Sequence, residues 1–90
     1  MLKVLIVDDD KNVSRCLRQL IKWEELGYEV IGDAYDGETA YKMALEKNPD
    51  VIISDIKMPF MDGTELCQKI RSELCNVAII FLSAYEDFST

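Results

Sequence analysis

The 90-residue chain contains no histidine. That absence removes every histidine-based nucleophile triad and the mixed cysteine–histidine zinc sites. Cysteine is scarce: Cys16, Cys67 and Cys75 form no C-x-x-C pair, and the odd count reads as reduced thiols serving as small hydrophobes. Positive charge is also in short supply, with 10 Lys and Arg against 17 Asp and Glu and a net charge of −7. Direct nucleic-acid binding by this segment is therefore not expected, because gripping a phosphate backbone needs clustered cations. No apolar run approaches the roughly 18 to 20 residues that span a bilayer, so no membrane association is expected. The opening "MLKVLIVDDD" turns acidic too soon for a signal peptide, which makes a cytoplasmic protein the expectation.

What is present is an ordinary apolar fraction of 49%, enough to bury one core. The length predicts one small domain over residues 1–90, with no linker, repeat or low-complexity stretch. "LKVLIV" (2–7) is short, apolar and bounded by acids, a buried strand. From Lys11 to Leu26 the spacing becomes helical, with Val13, Cys16, Leu17, Leu20 and Ile21 on one face and Gly27 as the stop. "YEVIGDA" (28–34) predicts a second strand. Asp36 and Gly37 open a second helix carrying Ala40, Met43 and Ala44, which Asn48 and Pro49 end. "DVIIS" is a third strand. Asp62 reads as a helix N-cap with Glu65 three residues on, and Leu66, Cys67, Ile70 and Leu74 form the apolar face. "VAIIFL" (77–82) lacks alternation and predicts a fourth strand covered on both faces.

The order βαβαβαβ predicts an α/β fold, a doubly wound parallel sheet joined by right-handed crossovers. In such sheets ligands bind beyond the carboxyl ends of the strands. Those ends carry Asp8, Asp9 and Asp10, then Asp55, then Ser83 and Ala84. Carboxylates within about 4 to 6 Å of one another repel, and a hard divalent cation offsets them. Magnesium fits, since it prefers oxygen ligands and keeps several waters. A carboxylate beside that ion is a candidate nucleophile toward phosphorus. This makes Asp55 the candidate acceptor, Asp8 and Asp9 the metal holders, and Ser83 a hydroxyl for the added phosphate. Asp10 reads better as a helix cap than as a ligand, Lys57 as a solvated side chain, and Met43, Met58 and Met61 as packing.

Two other motifs fail. "DIKMPFMDGTEL" lacks the alternating oxygen ligands and central glycine of a calcium loop, and "GDAYDG" contains neither G-x-G-x-x-G nor G-x-x-x-x-G-K.

Taken together, "VLIVDDD", "VIISDIKMPFMDG" and "IIFLSAYED" closely resemble the receiver domain of two-component response regulators, over essentially the whole chain. "LIKWEELGYEVIGDAYDGETA" further resembles receivers that precede an AraC-type DNA-binding domain. The resemblance implies a flavodoxin-like sheet of strand order 2-1-3-4. It implies Asp55 as phosphoacceptor, Asp8 and Asp9 as the acidic metal-binding pair, and the backbone carbonyl of Lys57 as a further Mg2+ ligand. It implies Ser83 and Ala84 as the phosphate-following positions, and Pro59 and Gly63 as the turn into the next helix. The partners implied are a sensor histidine kinase and a DNA-binding output domain.

Family members continue through a fourth helix, a fifth strand with a phosphate-contacting lysine and an aromatic switch position, and a fifth helix. The expectation is thus a receiver truncated after the fourth strand, engineered or proteolysed, in which neither Tyr85 nor Phe88 can take the aromatic role. Loss of that lysine is expected to slow phosphoryl transfer about a hundredfold. An uncovered fourth strand is expected to self-associate or domain-swap through residues 77–82.

Three functional classes remain on sequence grounds. The first is a Mg2+-dependent phosphoacceptor switch, not an enzyme beyond slow self-catalysed transfer. The second is a non-catalytic interaction or assembly module. The third is a phosphatase or phosphotransferase with an aspartate nucleophile, disfavoured because Lys57 stands where D-x-D needs an acid.

Overall fold

A computed structural model describes residues 1–58, 60–74 and 76–82. Among the described residues seven elements follow one another: β1 Leu2–Val7, α1 Lys11–Leu20, β2 Tyr28–Ala34, α2 Gly37–Lys47, β3 Val51–Asp55, α3 Gly63–Glu73 and β4 Ala78–Leu82. The strands form one parallel sheet in the order β2-β1-β3-β4. Fold class and strand order are those expected from the sequence.

Alternation along the central strand explains the layering. Leu5 and Val7 of β1 point to one face, where they meet Ile52, Ala40 and Ala44 of α2, and Leu66 and Ile70 of α3. Val4 and Ile6 point to the other face, with Ile53 and the half-buried Leu17 of α1. All four β1 side chains from Val4 to Val7 are fully buried, as a strand covered on both faces requires. Met58 is buried in the first layer, and Met43 and Met61 pack against it, which fits their reading as filler.

The helix starts follow local chemistry. Asp10, Asp36 and Asp62 are the three N-caps, and their carboxylates accept from the backbone N–H groups of Asn12, Thr39 and Glu65 at 2.9, 2.7 and 2.9 Å. Helix α2 ends at Asn48, whose left-handed backbone (φ 49°) closes the last turn before Pro49.

Two expectations need correction. Helix α1 stops at Leu20 rather than Leu26, because Ile21 is extended and Trp23 folds back. The Trp23 indole Nε1–H donates to the Leu17 carbonyl at 3.1 Å and its ring meets Tyr28 edge-on, so tertiary contacts take the place of another helical turn. With the helix so placed, Cys16 and Leu20 are exposed and Ser14 is buried instead. Strand β4 also departs from the double cover expected of it. Ile80 is 52% exposed and Phe81 36%, so among the described residues β4 is an open edge.

Candidate functional site

Register brings the acids together. β1 and β3 run parallel with Val4 opposite Val51 and Val7 opposite Ser54. One residue further, Asp8 and Asp55 stand side by side as the two strands end, since neighbouring strands lie about 4.8 Å apart. Asp9 follows in the turn to α1. The carboxylates of Asp8, Asp9 and Asp55 each place an oxygen within 4.8 Å of the others.

Each acid has a distinct environment. Asp8 is 4% exposed; its Oδ1 accepts from the Asp10 backbone N–H at 2.9 Å. Its backbone N–H donates to the Ala34 carbonyl at 3.0 Å, which ties the site to β2. Burial pushes the Asp8 carboxyl above the usual carboxylate range; the Asp10 N–H bond opposes this, while the charges of Asp55, Asp9 and Asp10 reinforce it. Asp9 is exposed and Asp55 half-buried. Among the described residues the Asp55 Oδ1 receives a long 3.4 Å approach from the Lys57 N–H. Beneath it, the fully buried Ser54 donates its hydroxyl to the Asp55 carbonyl at 2.9 Å and fixes the end of the strand.

Two unit charges this close repel by about 1 kcal/mol in water and about 3 to 4 kcal/mol at the effective dielectric of a protein surface. Two side-chain ion pairs among the described residues, Arg18–Asp33 and Lys42–Glu38, fall elsewhere. A buried acid with a raised proton affinity, flanked by two more carboxylates, suits a hard divalent cation, whose charge offsets all three. The donor set is all oxygen, as magnesium prefers, and fits that ion.

The loop from β3 to α3 is held by a close approach. Gly63 N–H donates to the Ile56 carbonyl at 2.7 Å, and a Cβ at Gly63 would lie 2.4 Å from the Asp55 carbonyl oxygen. This is the physical reason for glycine at the turn position named from the sequence. The Lys57 side chain is exposed, as expected. Ser83, Ala84 and Pro59 lie outside the described residues, as do Tyr85 and Phe88. Sequence reasoning missed Phe60, an aromatic in this loop that is fully exposed with φ at +69°. A cleft of about 610 Å³ near Trp23 and Tyr28 lies at the opposite, amino end of the strands, away from the acids.

Among the described residues no helix is long and apolar enough to cross a membrane.

Comparison with known proteins supplies a family. The response regulator receiver domain matches residues 4–90. The transcriptional regulatory protein YesN of Bacillus subtilis is 39% identical over 88 residues, 98% of this chain and 24% of that protein. The transcriptional regulatory protein HptR of Staphylococcus aureus is 38% identical over 98% of this chain and 34% of its own length. The chain thus spans about a quarter to a third of these relatives. Among solved structures, the REC domain of AraT, a response regulator from Geobacillus stearothermophilus, superposes with a TM-score of 0.90 at 40% identity, covering 98% of this chain and 68% of that one. A two-component transcriptional regulator AraC from Clostridium phytofermentans superposes at 0.88 with 37% identity, over 99% of this chain and 72% of that one.

Proposed function

The chain belongs to the response regulator receiver domain family, and from that premise we propose that it is the phosphoacceptor unit of a two-component signalling system, with Asp55 as the acceptor. The observation that carries the reading is the convergence of Asp8, Asp9 and Asp55 at the carboxyl rim of the sheet. In the proposed reaction a carboxylate oxygen of Asp55 forms a bond to phosphorus. The phosphorus–nitrogen bond of a phosphohistidine on a sensor kinase breaks, and its electron pair returns to the imidazole nitrogen.

Asp8 and Asp9, with Asp55 and the Lys57 carbonyl, would hold Mg2+. That ion supplies charge neutralisation for the phosphoryl oxygens. The residues of the chain do the rest. The Asp10 N–H orients the Asp8 carboxylate, the Ser54 hydroxyl fixes the strand end under Asp55, and Gly63 lets α3 sit directly on the acceptor's backbone. Ser83 and Ala84 are the proposed phosphate-following pair, on sequence alone. The new charge on Asp55 would bias a two-state surface that controls an output domain. A DNA-binding output, and with it a cytoplasmic setting, is proposed from the transcriptional regulators among the relatives. In this role the domain is a switch and not a turnover enzyme.

Intact mass after incubation with acetyl phosphate and magnesium tests the reading. The expected result is one added phosphoryl group, lost in Asp55→Asn and without magnesium. No adduct on the parent chain, or an adduct that persists in Asp55→Asn, overturns it.

A second reading, self-association through residues 77–82, is favoured by one observation: the exposed Ile80 and Phe81 on the edge strand β4. Light scattering over a wide concentration range tests it, and a monomer throughout rejects it.

A further inference from the structure

Phe60 combines two features that seldom occur together. Its side chain is fully exposed, 103% of the reference value, and its backbone lies in the left-handed region at φ +69°. A bulky residue there is strained, and asparagine or glycine would sit more easily. Exposure gives no burial to offset the strain within the chain itself. The residue lies in the loop that leaves Asp55 and enters α3 at Gly63. Beside it opens a cleft of about 560 Å³, in which Met61 contributes an apolar wall and, among the described residues, Asp36, Glu38 and Glu65 outnumber Lys42. An apolar knob beside an acidic cleft, in the loop that follows directly from Asp55, matches the layout of an interface anchor with a charged surround.

We infer that Phe60 is the apolar anchor by which a protein phosphodonor docks on this chain, its ring entering a hydrophobic pocket on a donor surface flanked by basic side chains. The inference rests on the reading of Asp55 as phosphoacceptor and adds the surface that chooses the donor. A small donor such as acetyl phosphate has no surface to engage Phe60, so the residue separates protein donors from small ones. Docking, not chemistry, is its contribution.

The test compares two donors on the whole chain and two variants. Phe60→Asn keeps a backbone tolerant of positive φ and removes the ring; Phe60→Leu keeps an apolar side chain. The protein donor is whichever core from a panel of phosphorylated sensor histidine kinase cytoplasmic cores labels the parent fastest. Phe60→Asn is expected to transfer from that core at least about tenfold more slowly, with acetyl phosphate labelling within about twofold of the parent. Phe60→Leu is expected to recover most of the protein-donor rate. Phe60→Asn should also melt no lower than the parent, which excludes misfolding as the cause. Equal rates with the protein donor, or equal slowing with both donors, overturn the inference. A panel in which no core labels the parent faster than acetyl phosphate overturns it too. Failure of acetyl phosphate to label the parent is a separate result, which sinks the phosphoacceptor reading and the anchor with it.

Discussion

Replacing Gly63 by alanine tests how the acceptor is positioned. The added Cβ would lie 2.4 Å from the Asp55 carbonyl oxygen, 3.0 Å from Ile56 Cα and 3.0 Å from the Phe81 ring. Two of these neighbours are backbone, which cannot swing aside like a side-chain tip. Ordinary contact begins near 3.4 Å, so α3 and the end of β3 have to part by about 1 Å, the difference from 2.4 Å. The Gly63 N–H bond to the Ile56 carbonyl, now 2.7 Å, is then stretched beyond useful length. Overpacking of this kind costs about 1 to 3 kcal/mol and the weakened hydrogen bond about 1 more. The better helix propensity of alanine returns at most about 1 kcal/mol. The expected net loss is roughly 2 to 3 kcal/mol, a fall in melting temperature of roughly 10 to 20 °C for a domain this small. Gly27→Ala is the matched control: its φ is +87°, but nothing lies within 4 Å of the new Cβ. It carries backbone strain without a clash, about 1 kcal/mol. Thermal unfolding followed by circular dichroism decides. A Gly63→Ala chain that melts within about 2 °C of the parent, or above Gly27→Ala, refutes the argument from close approach.

Two further outcomes concern charge. Burial holds the Asp8 carboxyl above its ordinary 3.8, so the metal-free fold binds that proton more tightly than the unfolded chain. Stability in the absence of metal should therefore fall as pH rises from about 3.8 through the higher folded value, and Asp8→Asn should abolish that slope in urea melts across pH. Asp62 is the opposite case: the Glu65 N–H, then the Thr64 hydroxyl, hold its carboxyl below 3.8. Its contribution is fully present above that value and is lost as pH falls through the lower folded value; Asp62→Asn should flatten the acid limb of the same profile.

The elements that could be read in the sequence are those whose determinants are local. β1 and β3 are continuous apolar runs, and the α2 and α3 starts carry their own capping carboxylates, so all four fell close to where they are found. The acidic site was legible because topology alone puts the ends of β1 and β3 side by side, and Asp8 and Asp55 occupy those ends. The end of α1 was not legible, because it depends on Trp23 reaching Leu17 and Tyr28, contacts made only in the assembled fold. The register shift between Val4 and Leu5 against β2, which passes over Ile31, likewise leaves no local trace. For β4, an apolar run specifies a strand but not what covers its faces, so its lack of alternation read as double cover even though the family resemblance already implied an uncovered strand there. Phe60 escaped notice because positive φ is a property of the folded loop, and its residue type gives no hint of it.

The claim on which the whole account stands is that Asp8, Asp9 and Asp55 together form one divalent-cation site. Calorimetric titration of magnesium into the parent chain and into Asp8→Asn, Asp9→Asn and Asp55→Asn measures this directly. One ion per parent chain is expected, with a loss of affinity of at least about tenfold in each variant. Undiminished binding in any one of the three, or no binding by the parent at millimolar magnesium, contradicts it.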